Sequence, residues 1–180
     1  MYVKVCGIRS REVIDWAAGL GYSAAGFVLH PASVRYCKPE KVLELARYAS
    51  GRIATVAVGV SYEEVERVKW AVDYIQIYEY RETERLIFAS GNEPAGLKYD
   101  YFMYDASRGS GKFSDFPEWV EPIREKLILS GGMRPGNAGR VVRQYMPFGI
   151  DVSSGVESSP GAKSYYKMKN FIEEVRNAGG

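Results

Sequence analysis

The 180 residues include 46% hydrophobic side chains, enough to bury one sizeable core, and residues 1–180 are expected to form a single domain. Lys and Arg number 24 against 22 Asp and Glu, a net charge of +2 with both signs interspersed, so nothing argues for a nucleic-acid partner or a membrane surface. Cys6, Cys37 and the single His30 make neither a disulfide framework nor a metal-ligand cluster, so no metal is expected.

Apolar runs of strand length alternate with amphipathic stretches, the pattern of a parallel sheet covered by helices. None approaches the ~20 residues of a membrane span. No signal-type core precedes the first strand, and the expected location is the cytoplasm. Tyr2–Cys6 reads as strand one. A helix opens at Ser10, turns Val13, Ile14, Ala17 and Ala18 inward, and closes at Gly19 or Gly21. Ala24–Leu29 is strand two. Pro39 suits a first helical position, with Val42, Leu45, Ala46 and Ala49 as the buried stripe ahead of Gly51. Ile53–Val58 is strand three, and Ser61 with Glu64 forms a capping box before Val65 and Val68. Strand four is about Asp73–Ile77, followed by a short helix through Arg81–Ala89 that Ser90-Gly91-Asn92 stops. The fifth unit is a strand stub around Ala95–Tyr99 with no room for a helix. Tyr101–Tyr104, Leu127–Leu129 and Phe148–Val152 are strands six to eight, and a last helix carries Met168, Phe171, Ile172 and Val175.

Two glycine-bearing segments complete this pattern. Leu129-Ser130-Gly131-Gly132 and Gly149-Ile150-Asp151-Val152-Ser153-Ser154-Gly155-Val156-Glu157 each begin as a short apolar run and break into small residues where a strand ends. Backbone there can approach a ligand closely, and consecutive N–H groups can hold an anion. About twenty residues separate the two, the spacing of strands seven and eight in a (β/α)8 barrel, whose last loops often hold a phosphate. Such barrels typically need roughly 250 residues. The expected fold is therefore a trimmed (β/α)8 barrel, lacking the helix after strand five.

Catalytic side chains of such barrels sit where strands finish. Cys6 ends strand one, either as a small buried hydrophobe or as a thiolate base if its surroundings lower its pKa. Asp105 ends strand six ahead of Gly109-Ser110-Gly111-Lys112, as a loop cap or as a proton donor to a leaving oxygen. Gly111-Lys112 is no Walker A site, since Phe113 stands where Ser or Thr is needed. Arg35, after strand two, is a surface arginine or a fork for a carboxylate. Asp151, inside strand eight, serves a structural salt bridge or a polar substrate contact. Tyr78 and His30 also fall at strand ends, and the lone histidine reads as structural.

In order, Lys4-Val5-Cys6-Gly7-Ile8, Gly26-Phe27-Val28 with Ser33 and Arg35, Asp105 with Gly109-Ser110-Gly111, Leu129-Ser130-Gly131-Gly132 with Pro135 and Asn137, and Asp151 through Glu157 to Pro160-Gly161 and Lys163 resemble the N-(5′-phosphoribosyl)anthranilate isomerase family. The resemblance covers nearly the whole chain. It implies an Amadori rearrangement of a small phosphorylated substrate in tryptophan biosynthesis, without a cofactor. By that resemblance Cys6 is the general base, Asp105 the general acid and Arg35 the clamp on the anthranilate carboxylate. Gly131, Gly132, Ser153, Ser154 and Gly155 hold the phosphate, while Asp151 lines the cleft. The sequence departs from the family where Gln76-Ile77-Tyr78-Glu79 stands for Gln-Leu-His-Gly, so the Tyr78 hydroxyl takes over the histidine contact or that contact is lost. Val34 replaces a proline and Ser164 an aspartate. The alternative is a non-catalytic phosphate-binding barrel derived from the family. The sequence carries no signal for the oligomeric state.

Overall fold

Strand residues that are buried almost without interruption require cover on both faces, and a closed parallel barrel provides it. In the computed structural model, which describes residues 1–105 and 115–179, eight parallel strands close in chain order. They are β1 (Tyr2–Cys6), β2 (Ala24–Val28), β3 (Ala54–Val58), β4 (Tyr74–Ile77), β5 (Leu86–Ser90), β6 (Tyr101–Tyr104), β7 (Leu127–Leu129) and β8 (Gly149–Val152). β8 pairs with β1, Lys4 opposite Asp151, which closes the ring. Alternate residues face opposite ways along each strand. Val3 and Val5 therefore join the core between barrel and helices, while Cys6, Val56, Val58, Ile87, Ala89, Met103 and Ile128 pack together inside the barrel.

The outer layer holds α1 (Arg11–Leu20), α2 (Pro39–Ala49), α3 (Tyr62–Glu66), α4 (Ala138–Tyr145) and α5 (Tyr165–Gly179). Ser10 Oγ accepts the Val13 N–H at 3.4 Å, and α1 ends at Gly21 in the left-handed region with φ of 80°. Ala18 is only half-buried, but Val13, Ile14 and Ala17 face the core as expected. The capping box at α3 does not form. Ser61 makes no side-chain cap bond, and Glu64 accepts instead from the Val60 N–H at 2.7 Å.

The fifth unit corrects the sequence reading. Strand five is Leu86–Ser90, in the span expected to be helical, whereas Ala95–Tyr99 lies in a loop. Leu86, Ile87, Phe88 and Ala89 are all buried, so they have no polar side to turn outward as a surface helix would. Arg81–Arg85 has no apolar stripe, and Arg85 sits at φ of 57°, which interrupts any helix. Asp100 accepts the Leu86 N–H at 2.8 Å and fixes the strand's start. The absent helix after strand five is as expected, and residues 78–85 contain no helix either.

Aromatic side chains from the loops cover what those helices leave bare. Tyr80 packs edge-on against Phe88 at 5.2 Å, and Tyr99 lies on Phe102 at 5.8 Å. After β6 a 3-10 helix, Glu118–Lys126, with Pro122 inside it, stands where a regular helix would be. Its Trp119 packs on Phe102 and Tyr104. A hairpin of β9 (Glu157–Ser159) and β10 (Ala162–Lys163) follows β8 and folds back toward the barrel mouth.

Candidate active site

All eight strands point their carboxyl ends at one mouth, and a cavity of about 520 Å³ opens there. Cys6 at the end of β1, Arg35 after β2, Tyr78 after β4, Asp105 after β6, and Asp151 in β8 all line it. Gly131, Gly132, Ser153 and Ser154 form part of the same wall. Gly155 stands just behind them. A Cβ there would run into the Met133 carbonyl and Arg134, so glycine lets the loops after β7 and β8 pack together. Gly131 and Gly132 hold φ of 92° and 67°. Asn137 braces their loop, donating to the Gly132 carbonyl at 3.0 Å and accepting from the Arg134 N–H at 2.9 Å. The Gly109-Ser110-Gly111 segment lies outside the described residues.

Asp105 is 4% exposed, and the Tyr78 hydroxyl donates to its Oδ2 at 2.8 Å. Burial, reinforced by the carboxylate beside it, pushes the Tyr78 phenol well above its ordinary range, so it stays a neutral donor. Arg35 makes a fork to Glu157, with Nε on Oε1 at 2.7 Å and Nη2 on Oε2 at 2.8 Å. Lys163 Nζ adds a bond to Oε1 at 2.8 Å and the Gly161 N–H one to Oε2 at 3.1 Å. Burial works to raise the Glu157 carboxyl, but the bonds from Arg35 and Lys163 win and hold it at about 2. Arg35 thus enters the cavity wall already oriented by a carboxylate of the hairpin.

Cys6 does not meet the condition set by the sequence reading, a thiol with lowered pKa. Burial pushes its thiol up, against the opposing fields of Lys4 and Lys163, while Asp151 adds to the rise. Asp151 forms a salt bridge, one of its two expected readings. It accepts from Lys4 Nζ at 2.8 Å and Ser130 Oγ at 3.0 Å, yet it still lines the cavity. His30 Nδ1 lies 2.8 Å from Glu64 Oε1 at the cavity rim.

Sequence reasoning gave no role to Lys4, Gln76, Ser130, Glu157 or Lys163. Lys4 had a legible signal, since it precedes Cys6 by two residues and must share its face. Gln76 is 2% exposed in the cavity lining, and its Oε1 has no hydrogen-bond partner among the described residues. The Glu157 fork joins residues 122 positions apart, which no local pattern reveals. Among the described residues no helix is long and apolar enough to cross a membrane.

Residues 3–174 match the family model described as N-(5′-phosphoribosyl)anthranilate (PRA) isomerase. The chain is 30% identical to the N-(5′-phosphoribosyl)anthranilate isomerase of Dechloromonas aromatica, covering 98% of this chain and 96% of the relative. It is 31% identical to that of Streptococcus pneumoniae, over 97% and 96%. The phosphoribosyl anthranilate isomerase structure from Thermus thermophilus superimposes with a TM-score of 0.84 at 29% identity, over 98% of this chain and 99% of that one. A further isomerase structure, in complex with reduced 1-(o-carboxyphenylamino)-1-deoxyribulose 5-phosphate, gives 0.79 at 28% identity over 98% and 99%.

Proposed function

The chain belongs to the N-(5′-phosphoribosyl)anthranilate isomerase family, and from that membership we propose that residues 1–180 work as one barrel domain isomerising phosphoribosylanthranilate in the tryptophan pathway of the cytoplasm. The observation that carries the assignment of roles is the convergence of Cys6, Asp105 and Arg35 with the two glycine loops on one cavity.

The phosphate binds between Gly131–Gly132 and Ser153–Gly155, where backbone N–H groups from two loops reach it. Being remote from the reacting carbon, it supplies positioning. Arg35 faces the anthranilate carboxylate. Asp105 gives a proton to the ribose ring oxygen, and the ring opens to a Schiff base. Cys6 as thiolate takes the C2′ proton, and the electron pair moves into the iminium to give an enolamine. Tautomerisation yields the 1-deoxyribulose ketone, 1-(2-carboxyphenylamino)-1-deoxyribulose 5-phosphate. The substrate's own iminium accepts the electrons, so the steps call on no cofactor.

Tyr78, the residue in the family's histidine position, lines the cavity itself and also braces Asp105. Its bond to Oδ2 sets the plane of the acid. The experiment is a turnover assay that follows loss of the anthranilate adduct's fluorescence. Cys6→Ser is expected to abolish most turnover with phosphate-ligand affinity nearly unchanged, because a hydroxyl is a far poorer base near neutral pH. Near-normal turnover in that variant would return Cys6 to the core.

A further inference from the structure

Lys4 is fully buried, a charged side chain inside the barrel beside a cluster of Val, Ile, Ala and Met. A buried ion pair is weak support for a fold, since apolar residues of similar volume often do as well or better. The Lys4–Asp151 pair therefore calls for a reason other than stability. Its position supplies one. Lys4 and Cys6 lie two residues apart on the inward face of β1, and β2 sets Ala24 and Gly26 opposite them. A Cβ on Gly26 would lie 3.1 Å from Cys6 Sγ and 3.1 Å from Lys4 Cε, so both side chains converge on the space that glycine leaves. The ammonium at the end of that stem is fastened to Asp151 at 2.8 Å, and Ser130 holds the other carboxylate oxygen.

We infer that Lys4 is a positioning residue for the proton abstraction: its ammonium, anchored on Asp151 beneath the cavity floor, is the counter-charge that sustains Cys6 as a thiolate. The inference rests on the reading of Cys6 as the base. Among the described residues, the charged and titratable groups whose fields meet Cys6 include Lys4 of β1, Asp151 of β8, Lys163 of β10, Arg35 after β2 and Tyr78 after β4. Arg35 and Lys163 reach it from loop and hairpin and share Glu157. Lys4 alone among these cations stands on the same strand as the thiol, held by the barrel's own register. Burial works against its charge, yet Asp151 keeps its proton more firmly than in an ordinary lysine. That cation opposes the burial that raises the Cys6 thiol.

The test is a pH titration of thiolate ultraviolet absorbance in the ligand-free protein, with the Cys6→Ser spectrum subtracted to remove Cys37. It is run beside the pH profile of kcat/KM. Lys4→Met is expected to move the Cys6 midpoint up by about one pH unit or more, roughly tenfold less thiolate at a fixed pH, with the rising limb of the rate profile following. Lys4→Arg keeps a cation at the same position, so its midpoint is expected to stay near the parent's. A midpoint that rises when the charge is removed and returns when it is restored is what a packing role does not produce. An unmoved midpoint in Lys4→Met, or an equal rise in Lys4→Arg, overturns the inference. If Lys4→Met does not fold, Lys4→Gln takes its place, and an unmoved midpoint there overturns it. Turnover retained in Cys6→Ser would instead remove the base itself, a failure of the underlying reading that these midpoints do not mimic.

Discussion

At the amino-terminal mouth of the barrel aromatic rings meet, whereas the carboxyl-terminal mouth is lined by paired charges and glycines. Tyr2, Tyr74, Tyr101 and the Phe148 that precedes β8 close the first mouth. Tyr101 stacks on Phe148 at 4.5 Å, Tyr2 on Phe148 at 5.4 Å, and Tyr74 meets Tyr101 edge-on at 5.7 Å. Gly149 makes room for this plug, since a Cβ there would lie 2.6 Å from the Tyr2 carbonyl. At the second mouth Cys6, Asp105, Arg35 and Asp151 surround an open cavity, and each charge is held by a partner from another strand or loop. Burying aromatic surface stabilises, while keeping charges aimed into a cavity contributes little to stability and much to chemistry. The parallel arrangement lets one strand serve both ends: Tyr2 packs the plug four residues before Cys6 meets the cavity.

The largest expected effect breaks chemistry and spares the fold. Asp105→Asn keeps shape and substrate binding but removes the donor, so kcat should fall by ~10²–10⁴-fold with the melting temperature nearly unchanged. Tyr78→Phe keeps the carboxyl and loses only the bond that orients it, which should lower kcat by about tenfold. A rise in KM alone for Asp105→Asn would make Asp105 a binding group, and the proton for ring opening would have to come from elsewhere.

The converse substitution belongs to the other mouth. Phe148→Ala removes a ring stacked between Tyr2 and Tyr101 and should cost about 3 kcal/mol of stability, read by denaturant titration. Its kcat per folded molecule should match the parent's. A large loss of kcat in molecules that are still folded would end the division between the two mouths.

A smaller effect probes whether the Glu157 fork belongs to both functions. The carboxyl is held at about 2, below the ~4.3 of a free glutamate, so the fork's contribution is complete above pH ~4.3 and lost as pH falls through about 2. Glu157→Gln should lower stability by about 2 kcal/mol near neutral pH, with the gap to the parent closing below pH ~4. Melting temperatures of both proteins across an acid series measure it. A gap that stays constant down to pH ~2 would show that packing, not charge, is what Glu157 supplies.

Much of this division is legible along the chain because strand ends carry distinctive residues. Tyr2–Cys6, Tyr101–Tyr104 and Leu127–Leu129 match to the residue, since apolar runs bounded by charged or small residues leave little freedom in where a strand starts. Leu86–Ser90 misled because a short apolar run after charged residues fits a helix or a buried strand equally, and only its pairing with β4 and β6 decides. Residues such as Cys6 and Asp105 stand out because they are chemically unlike the apolar strands they end. Glu157 and Lys4 do not, because their significance lies in partners that are distant in sequence, Arg35 and Asp151. The Tyr78–Asp105 bond likewise joins two strand ends 27 residues apart. Both residues are legible along the chain, but the bond between them is not.

The most direct measurement is a crystal structure of this protein with reduced 1-(o-carboxyphenylamino)-1-deoxyribulose 5-phosphate bound. The expected pose sets the phosphate between Gly131–Gly132 and Ser153–Gly155, the carboxylate at Arg35, C2′ in van der Waals contact with Cys6 Sγ, and the 4′ hydroxyl, the former ring oxygen, at Asp105. A ligand bound outside the carboxyl-terminal mouth, or reversed with its phosphate at Arg35, would contradict these roles.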